Sequence, residues 1–477
     1  MAAITLLVVG KFFLPIFIKK EIYTIPEFVE KRFSTNLKTI LAVFWIALFV
    51  FVNLTTVLYL GARAMDTVVG TGDGSLMIYS ILALGLFSAA YSLWGGLSAV
   101  AWTDVVQVVL LVIGGLVTTF ITLEHVSPTG GIIDGFVHVY NTVPGKFSMI
   151  LSKGEIITPD GVDAWWSLPG LSVLIGGMWI ANVYYWGFNQ YIIQRTLAAK
   201  SLEESQKGIV FAAALKMIIP LIVVVPGIIA YVMNADASGQ LTAQTLDPSF
   251  VNKDGGVIND NAFPWLVRTF IPSGLKGLVL AALAAAIVSS LASMLNSTST
   301  IFTMDIFRPY INKNASDKLT VSVGRISGAV ALVIAMIIAP ALGNLGQAFI
   351  FIQEYTGVVS PGILAVFLTG LFWKRATNNA AIWGVILSIP IALYFKVASN
   401  GWSDSAIFVN IPFMNQMFIT ALLSIAIILL ISYLEGKGKV NEKGINLTAE
   451  LFKTSPTFNI GATVIVIICA ILYAIFW

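Results

Sequence analysis

In the apolar stretch "AAAIVSSLASMLNSTST" (284–300), hydroxyls recur at Ser289, Ser290 and Ser293 and then run from Ser297 to Thr300. Ala286, Ser289 and Ser290 are spaced i, i+3, i+4, so they share one face of a helix. Small hard cations are held by oxygen ligands, a rule stated for Ca²⁺ and Mg²⁺ and extended here to Na⁺. Two hydroxyls and a backbone carbonyl beside Ala286 would supply half a sodium shell, and another helix must supply the remainder. No carboxylate lies in this stretch before Asp305, which disfavours a divalent ion. The competing explanation is structural: small residues let helices approach closely, and serine hydroxyls bond back to their own helix.

A second constellation is "GGMWIANVYYWGFNQYIIQRT" (176–196), which sets Asn182, Asn189 and Gln190 around Tyr184, Tyr185 and Trp186. Neutral amides both donate and accept hydrogen bonds, and aromatic faces stack on flat apolar surfaces. That mixture suits a neutral polyhydroxylated solute; its rival is helix–helix hydrogen bonding with an interfacial aromatic belt. A third, "GQAFIFIQEYTGVVSPG" (346–362), places Gln353, Glu354, Ser360 and Pro361 inside an apolar run. Pro361 removes a backbone donor, so a helix break is expected there, of the kind that lines a cavity in transporters. Lys11, Lys216, Arg325, Asp104 and Glu354 also fall within or at the edge of apolar segments. Lys11 and Arg325 read as side chains reaching to an interface, and Lys216, deeper in its segment, reads as functional.

These groups need a scaffold that holds them at bilayer depth. Hydrophobic residues make up 57% of the 477 and charged residues 11%, against about 25% charged in soluble domains. Apolar runs of helix length lie near 36–62, 75–95, 99–123, 168–193, 208–233, 276–304, 321–343, 346–373, 377–398, 411–434 and 456–477, with a shorter one at 1–18. A crossing takes about 20 residues, so the chain reads as an all-α polytopic membrane protein of about 12 transmembrane segments. The runs are continuous rather than alternating, which excludes a β-barrel.

Lys and Arg gather at 19–38, 195–207, 308–318, 374–375 and 437–453 and are sparse in the long loops 124–167 and 234–274. With positive loops inside, the C-terminus lies outside. "NAFPWLVRTF" (261–270) reads as a short interfacial helix. A net charge of +3 gives no reason to expect nucleic acid, and Cys469, His125 and His138 are too few and too scattered for a thiol metal site or a histidine-based intramembrane enzyme.

The stretches "YSLWGGLSAVAWTDVVQ" (91–107), "YYWGFNQYIIQRTLAAKS" (184–201), "AALAAAIVSSLASMLNST" (281–298) and "FIQEYTGVVSPGILAVF" (351–367) resemble the solute:sodium symporter family, and the likeness runs the length of the chain. It implies a LeuT-type inverted-repeat fold in one transmembrane domain, 1–477. Residues 1–18 would be a partial second core helix. The core would continue through 373, with one peripheral helix to 398 and further peripheral helices over 399–477. By the same resemblance Ala286, Ser289 and Ser290 match a sodium site, and Asn182, Lys216 and Gln353 match sugar hydrogen-bonding positions. Tyr185, with Trp186 beside it, matches the aromatic that closes the sugar site inward; Phe349 matches an outer gate, and Asp104 an acid on the sodium exit path. The family pattern begins about two helices earlier, so an N-terminally incomplete core, with half a sodium site and poor coupling, is expected of the chain as written.

The expected function is sodium-coupled symport of a neutral sugar, galactose or glucose, across the bacterial cytoplasmic (inner) membrane. Na⁺ would be the coupling ion, with no organic cofactor, and sugar, sodium and membrane lipid would be the partners. Myo-inositol or sialic acid as solute, and a solute sensor or inert fragment that does not transport, stay open. Oligomeric state is not legible.

Overall fold

A computed structural model describes residues 1–477 except 23, 71, 159–160, 237–238, 243–244, 252–256, 345–346 and 400–409; the side chains of 91, 93–101, 344 and 399 also lie outside it. Among the described residues β-structure is limited to isolated bridges in loops, such as Ile157 with Asp163. In chain order the helices are α1 Ala2–Lys19, α2 Ile25–Arg32, α3 Thr35–Val69, α4 Met77–Val126, α5 Ile132–Thr142, α6 Gly177–Phe188, α7 Gln190–Leu197 and α8 Leu202–Met233. They continue as α9 Ala262–Phe270, α10 Ser273–Ile311, α11 Asp317–Gly343, α12 Ala348–Phe372, α13 Asn378–Ala398, α14 Phe413–Gly436 and α15 Pro456–Ile475. Ten helices among the described residues are long and apolar enough to cross a bilayer, and an eleventh span is counted if Ala164–Ile175 joins α6. The segment expected at 75–95 corresponds to the shorter apolar stretch Met77–Ala90.

Local sequence sets the helix starts. Thr24, Ser34, Ser201, Ser316 and Ser455 each accept a hydrogen bond from the backbone N–H three residues on, at the starts of α2, α3, α8, α11 and α15. A Ser or Thr in this position satisfies one of the donors that a helix N-terminus leaves open. All five starts border the Lys- and Arg-rich loops. The interfacial helix expected over 261–270 is present as α9.

Two spans were expected at 75–95 and 99–123, yet helical hydrogen bonding runs through Met77–Val126 as one element. Its contacts show that it is not one rod. Leu84 and Ile287 close on Gly61, and Ser92 donates to the Ala292 carbonyl at 2.9 Å. Further on, Asp104 meets Ser289, and Gly114 faces Ala282 and Val279. Leu84 and Asp104 would be ~30 Å apart on a straight helix, but here they meet α10 within one turn of each other. The first half runs parallel to α10 and the second antiparallel, so the element doubles back as two crossings.

The other departures concern breaks. The span expected over 168–193 is not continuous: Ala164–Ile175 and Gly177–Phe188 are bent by 80°. Gly176 sits at the bend with φ −120° and ψ −102°. A Cβ at Gly177 would lie 2.0 Å from the Met414 carbonyl oxygen, so α6 meets α14 there with no room for a side chain. Gly177→Ala is expected to lower stability by ~1–3 kcal/mol through overpacking, read as a lower melting temperature of the solubilised protein; an unchanged melting temperature would contradict this contact. The break expected at Pro361, by contrast, is absent, and α12 is helical from Ala348 to Phe372.

Charges from distant elements complete both ends of α12. Buried Arg32 donates to the carbonyls of Gly370 at 2.9 Å and Trp373 at 3.2 Å, at the helix C-terminus. Asp260 accepts the N–H of Ala348 at 2.9 Å, at the N-terminus. The Arg32 cation suits the helix dipole at the C-terminal end. Near the C-terminal end of α12, Phe367 stacks on Phe188 at 4.5 Å and on Phe28 at 5.2 Å, which locks α2, α6 and α12 together.

Candidate functional site

A cavity of about 450 Å³ opens where α3, α6, α7, α8, α10 and α12 converge. Two π-helical turns bring residues to its wall: Leu48–Leu54 in α3 carries Asn53, and Tyr184–Phe188 in α6 carries Tyr185 and Trp186. Such turns insert a residue into a helix and recur at functional sites. Asn182 also comes from α6, Arg195 from α7, Lys216 from α8, Ser289 and Ser290 from α10, and Phe349 and Gln353 from α12. Phe349 and Gln353 are i, i+4 and present one face.

One side of the cavity is an amide, an indole and an ammonium in series. The Asn182 Nδ2 donates to the Met178 carbonyl at 2.9 Å, and its Oδ1 accepts from Trp186 Nε1 at 3.2 Å. Lys216 Nζ lies 4.7 Å from the centre of the Trp186 ring, a cation–π contact rather than an ion pair. The Tyr185 ring stands edge-on to Trp186 at 4.8 Å and to Tyr191 at 6.0 Å. This wall offers donors and acceptors beside flat aromatic faces.

The opposite side is the serine face of α10. The Ser290 hydroxyl donates to the Ala286 carbonyl at 3.0 Å. The Ser289 hydroxyl donates to Asp104, and the Ser293 hydroxyl donates to the Ser289 carbonyl at 2.9 Å. Arg195 donates to the Ser293 hydroxyl, and its Nη2 lies 2.6 Å from Asp104 Oδ2. Asp104 is therefore not remote from the serines: its carboxylate joins them directly, with Arg195 balancing its charge. The face expected to hold only uncharged oxygens contains an ion pair.

Of the residues singled out from sequence, Asn182, Tyr185, Trp186, Lys216, Ser289, Ser290, Phe349 and Gln353 line this one cavity. Ala286 and Asp104 join it through hydrogen bonds to Ser290 and Ser289. Glu354 does not; it pairs with Lys396 of α13 at 2.8 Å, beside a separate small cavity. Lys11 and Arg325 are exposed. Sequence reasoning passed over Asn53 and Arg195, and noted Ser293 among the hydroxyls of its stretch without giving it a place in the site. Asn53 interrupts the apolar run "FVFVNLTTV", which is a usable signal. Arg195 looked like a loop cation, and only its i+4 spacing from Tyr191 hints that it faces the cavity.

Comparison with known proteins places this chain among transport proteins. The family described as "Sodium:solute symporter family" matches residues 1–388. A sodium/glucose cotransporter of Vibrio parahaemolyticus is 54% identical over 477 residues, covering 100% of this chain and 84% of that protein. A sodium/myo-inositol cotransporter 2 of Bos taurus is 33% identical, covering 80% of this chain and 56% of its own length. A sodium/glucose cotransporter 1 of Ovis aries is 30% identical, covering 82% and 59%. The chain thus spans little more than half the length of these mammalian relatives. A solved Na⁺-coupled sialic acid symporter in a substrate-bound outward-open state superposes with a TM-score of 0.69 at 23% identity, covering 94% of this chain and 84% of that one, which is a likeness of fold.

Proposed function

We propose, from the premise that this chain belongs to the sodium:solute symporter family, that it is a sodium-coupled sugar symporter whose solute is galactose or glucose. The carrying observation is that one cavity gathers the amides of Asn182 and Gln353, the Lys216 ammonium, the aromatics Tyr185, Trp186 and Phe349, and the hydroxyls Ser289 and Ser290. Sugar hydroxyls pair with the first set and the C–H faces of the ring stack on the second. The Vibrio parahaemolyticus relative, which is named a sodium/glucose cotransporter, supports a hexose.

Sodium sits on the α10 face, taking the Ala286 carbonyl and the Ser289 and Ser290 hydroxyls in exchange for their present hydrogen bonds. Its tighter binding to the outward-open form shifts the population toward that form. Sugar then docks, the helices rock, and Tyr185 yields on the inner side while Phe349 shields the outer side. Sodium leaves inward past Asp104, whose pairing with Arg195 at 2.6 Å keeps it from trapping the ion. One charge moving down 100 mV supplies about 2.3 kcal/mol, which is roughly a fifty-fold sugar gradient. The chain crosses the bacterial inner membrane with the 234–272 loop and the C-terminus outside.

Counterflow in proteoliposomes holding the intact protein tests the solute. [¹⁴C]Galactose is expected to exchange in sodium, with galactose and glucose competing and sialic acid ineffective. Effective competition by sialic acid alone would overturn the sugar, and binding without flux would overturn transport.

A further inference from the structure

The first turn of α12 has no cap of its own, because Gln347 at its N-cap makes no side-chain hydrogen bond. The cap comes from 88 residues earlier, where the Asp260 Oδ2 accepts the Ala348 N–H at 2.9 Å. Asp260 stands in the short turn Asn259–Asn261, within the loop between α8 and α10. Its neighbour Asn261 is fully buried. The Asn261 Oδ1 accepts from Arg63 Nε at 3.0 Å and Thr67 Oγ1 at 3.2 Å, and its amide donates to the Ser249 carbonyl. The loop, α3 and α12 therefore meet at one joint, immediately before Phe349 and a turn and a half before Gln353.

We propose that Asp260 is a positioning residue for the cavity, a proton-operated clasp through which the 234–272 loop holds the first turn of α12. The functional part of this rests on the reading of Phe349 and Gln353 as gate and sugar contact. At the other end of α12 the clamp is Arg32, whose charge does not change over the working pH range. Burial pushes the Asp260 carboxyl up to about 6, against the opposing pulls of the Ala348 N–H and of Arg63. The groups facing the joint are Arg63 and Tyr59 from α3 and the N-terminus of α12. Nearby, Arg268 of α9 is paired with Asp247 at 3.4 Å, and Asp66 of α3 accepts the N–H groups of Gly74 and Leu76. The His125 ring lies 5.4 Å from that of Phe270.

The sign follows from linkage. A free aspartate titrates near pH ~3.9, so the clasped form, with its raised value, binds the proton more tightly than a released form in water. Acid therefore favours the clasp, and the clasp weakens as pH rises through about 6 and the buried carboxylate becomes charged. Between pH 7.5 and 5 the clasping equilibrium shifts about tenfold. A tighter clasp restrains α12 and slows alternating access.

Hydrogen exchange of the 347–353 segment in the intact protein reads the clasp directly. Asp260→Asn stands for the protonated acid at every pH, and comparison at matched pH cancels intrinsic exchange rates. The wild type is expected to exchange about a hundredfold faster than Asp260→Asn at pH 7.5 and about tenfold faster at pH 5, the two converging only below pH ~4. Asp260→Ala, which loses the acceptor altogether, is expected to exchange fast at both. In proteoliposomes, sodium-driven galactose uptake should fall with external acid in the wild type, the fall setting in below about pH 6, and be slow and pH-independent in Asp260→Asn. A shared pH profile of wild type and Asp260→Asn in exchange overturns the clasp and assigns any acid response to another group such as His125. The expected exchange pattern with no sodium-driven uptake by the wild type supports the clasp and overturns the transport reading instead.

Discussion

Replacing Lys216 with alanine is expected to cut sodium-driven sugar uptake by about a hundredfold, since a hydrogen bond from a charged donor is worth ~1.5–3 kcal/mol and 1.4 kcal/mol is tenfold. Lys216 lines the amide and indole wall of the cavity, and its ammonium lies 4.7 Å from the Trp186 ring that Asn182 also engages. On the proposed reading, removing it loses a donor to the sugar and also takes away the cation packed on Trp186, leaving Asn182 and Tyr185 against that ring. The half-saturating sodium concentration should stay near the wild-type value, because the serine face belongs to α10. Lys216→Arg is not a conservative rescue: the planar fork stacks on Trp186 differently and reaches further. Initial rates over a galactose series, with sodium saturating, check this. A wild-type rate in Lys216→Ala would remove Lys216 from the site.

Ser290→Ala is the second large effect. Losing one oxygen ligand is expected to raise the half-saturating sodium concentration about tenfold, equivalent to one hydrogen-bond-sized contribution. Sugar affinity at saturating sodium should stay near wild type. Folding is spared for two physical reasons. The bond lost is a back-bond to the Ala286 carbonyl, 3.0 Å long, which serves only its own helix. Alanine is also the better helix former. Ser289→Ala should behave differently, since it removes the hydroxyl on Asp104 and leaves the Arg195 pair to carry that carboxylate. Unchanged sodium dependence in Ser290→Ala would remove this hydroxyl from the ion's shell.

The helices were legible because bilayer depth demands long continuous apolar runs, and those runs survive in the structure with few shifts. The breaks were misjudged. Pro361 looked like the disruption, yet α12 tolerates it and is fixed at both ends by Arg32 and Asp260. The discontinuity lies at Gly176, where the close approach of Gly177 to Met414 governs, and no single-chain pattern announces a contact with a helix more than 200 residues away. The same limit hid the cavity's ion pair. Asp104 and Arg195 each looked like an edge residue, and only the fold brings them to 2.6 Å of each other beside Ser289. The amide and aromatic residues of α6 were legible because polar side chains have little other use on an apolar helix. Asn53 carried the same signal more faintly, as a single amide in a longer run.

The most direct measurement is sugar accumulation in proteoliposomes holding the intact protein, with an inside-negative potential and either sodium or choline outside. With sodium, galactose should rise inside well above its external concentration and collapse when the sodium gradient is dissipated; with choline it should do no more than equilibrate. Equal accumulation in choline would contradict sodium coupling through this cavity.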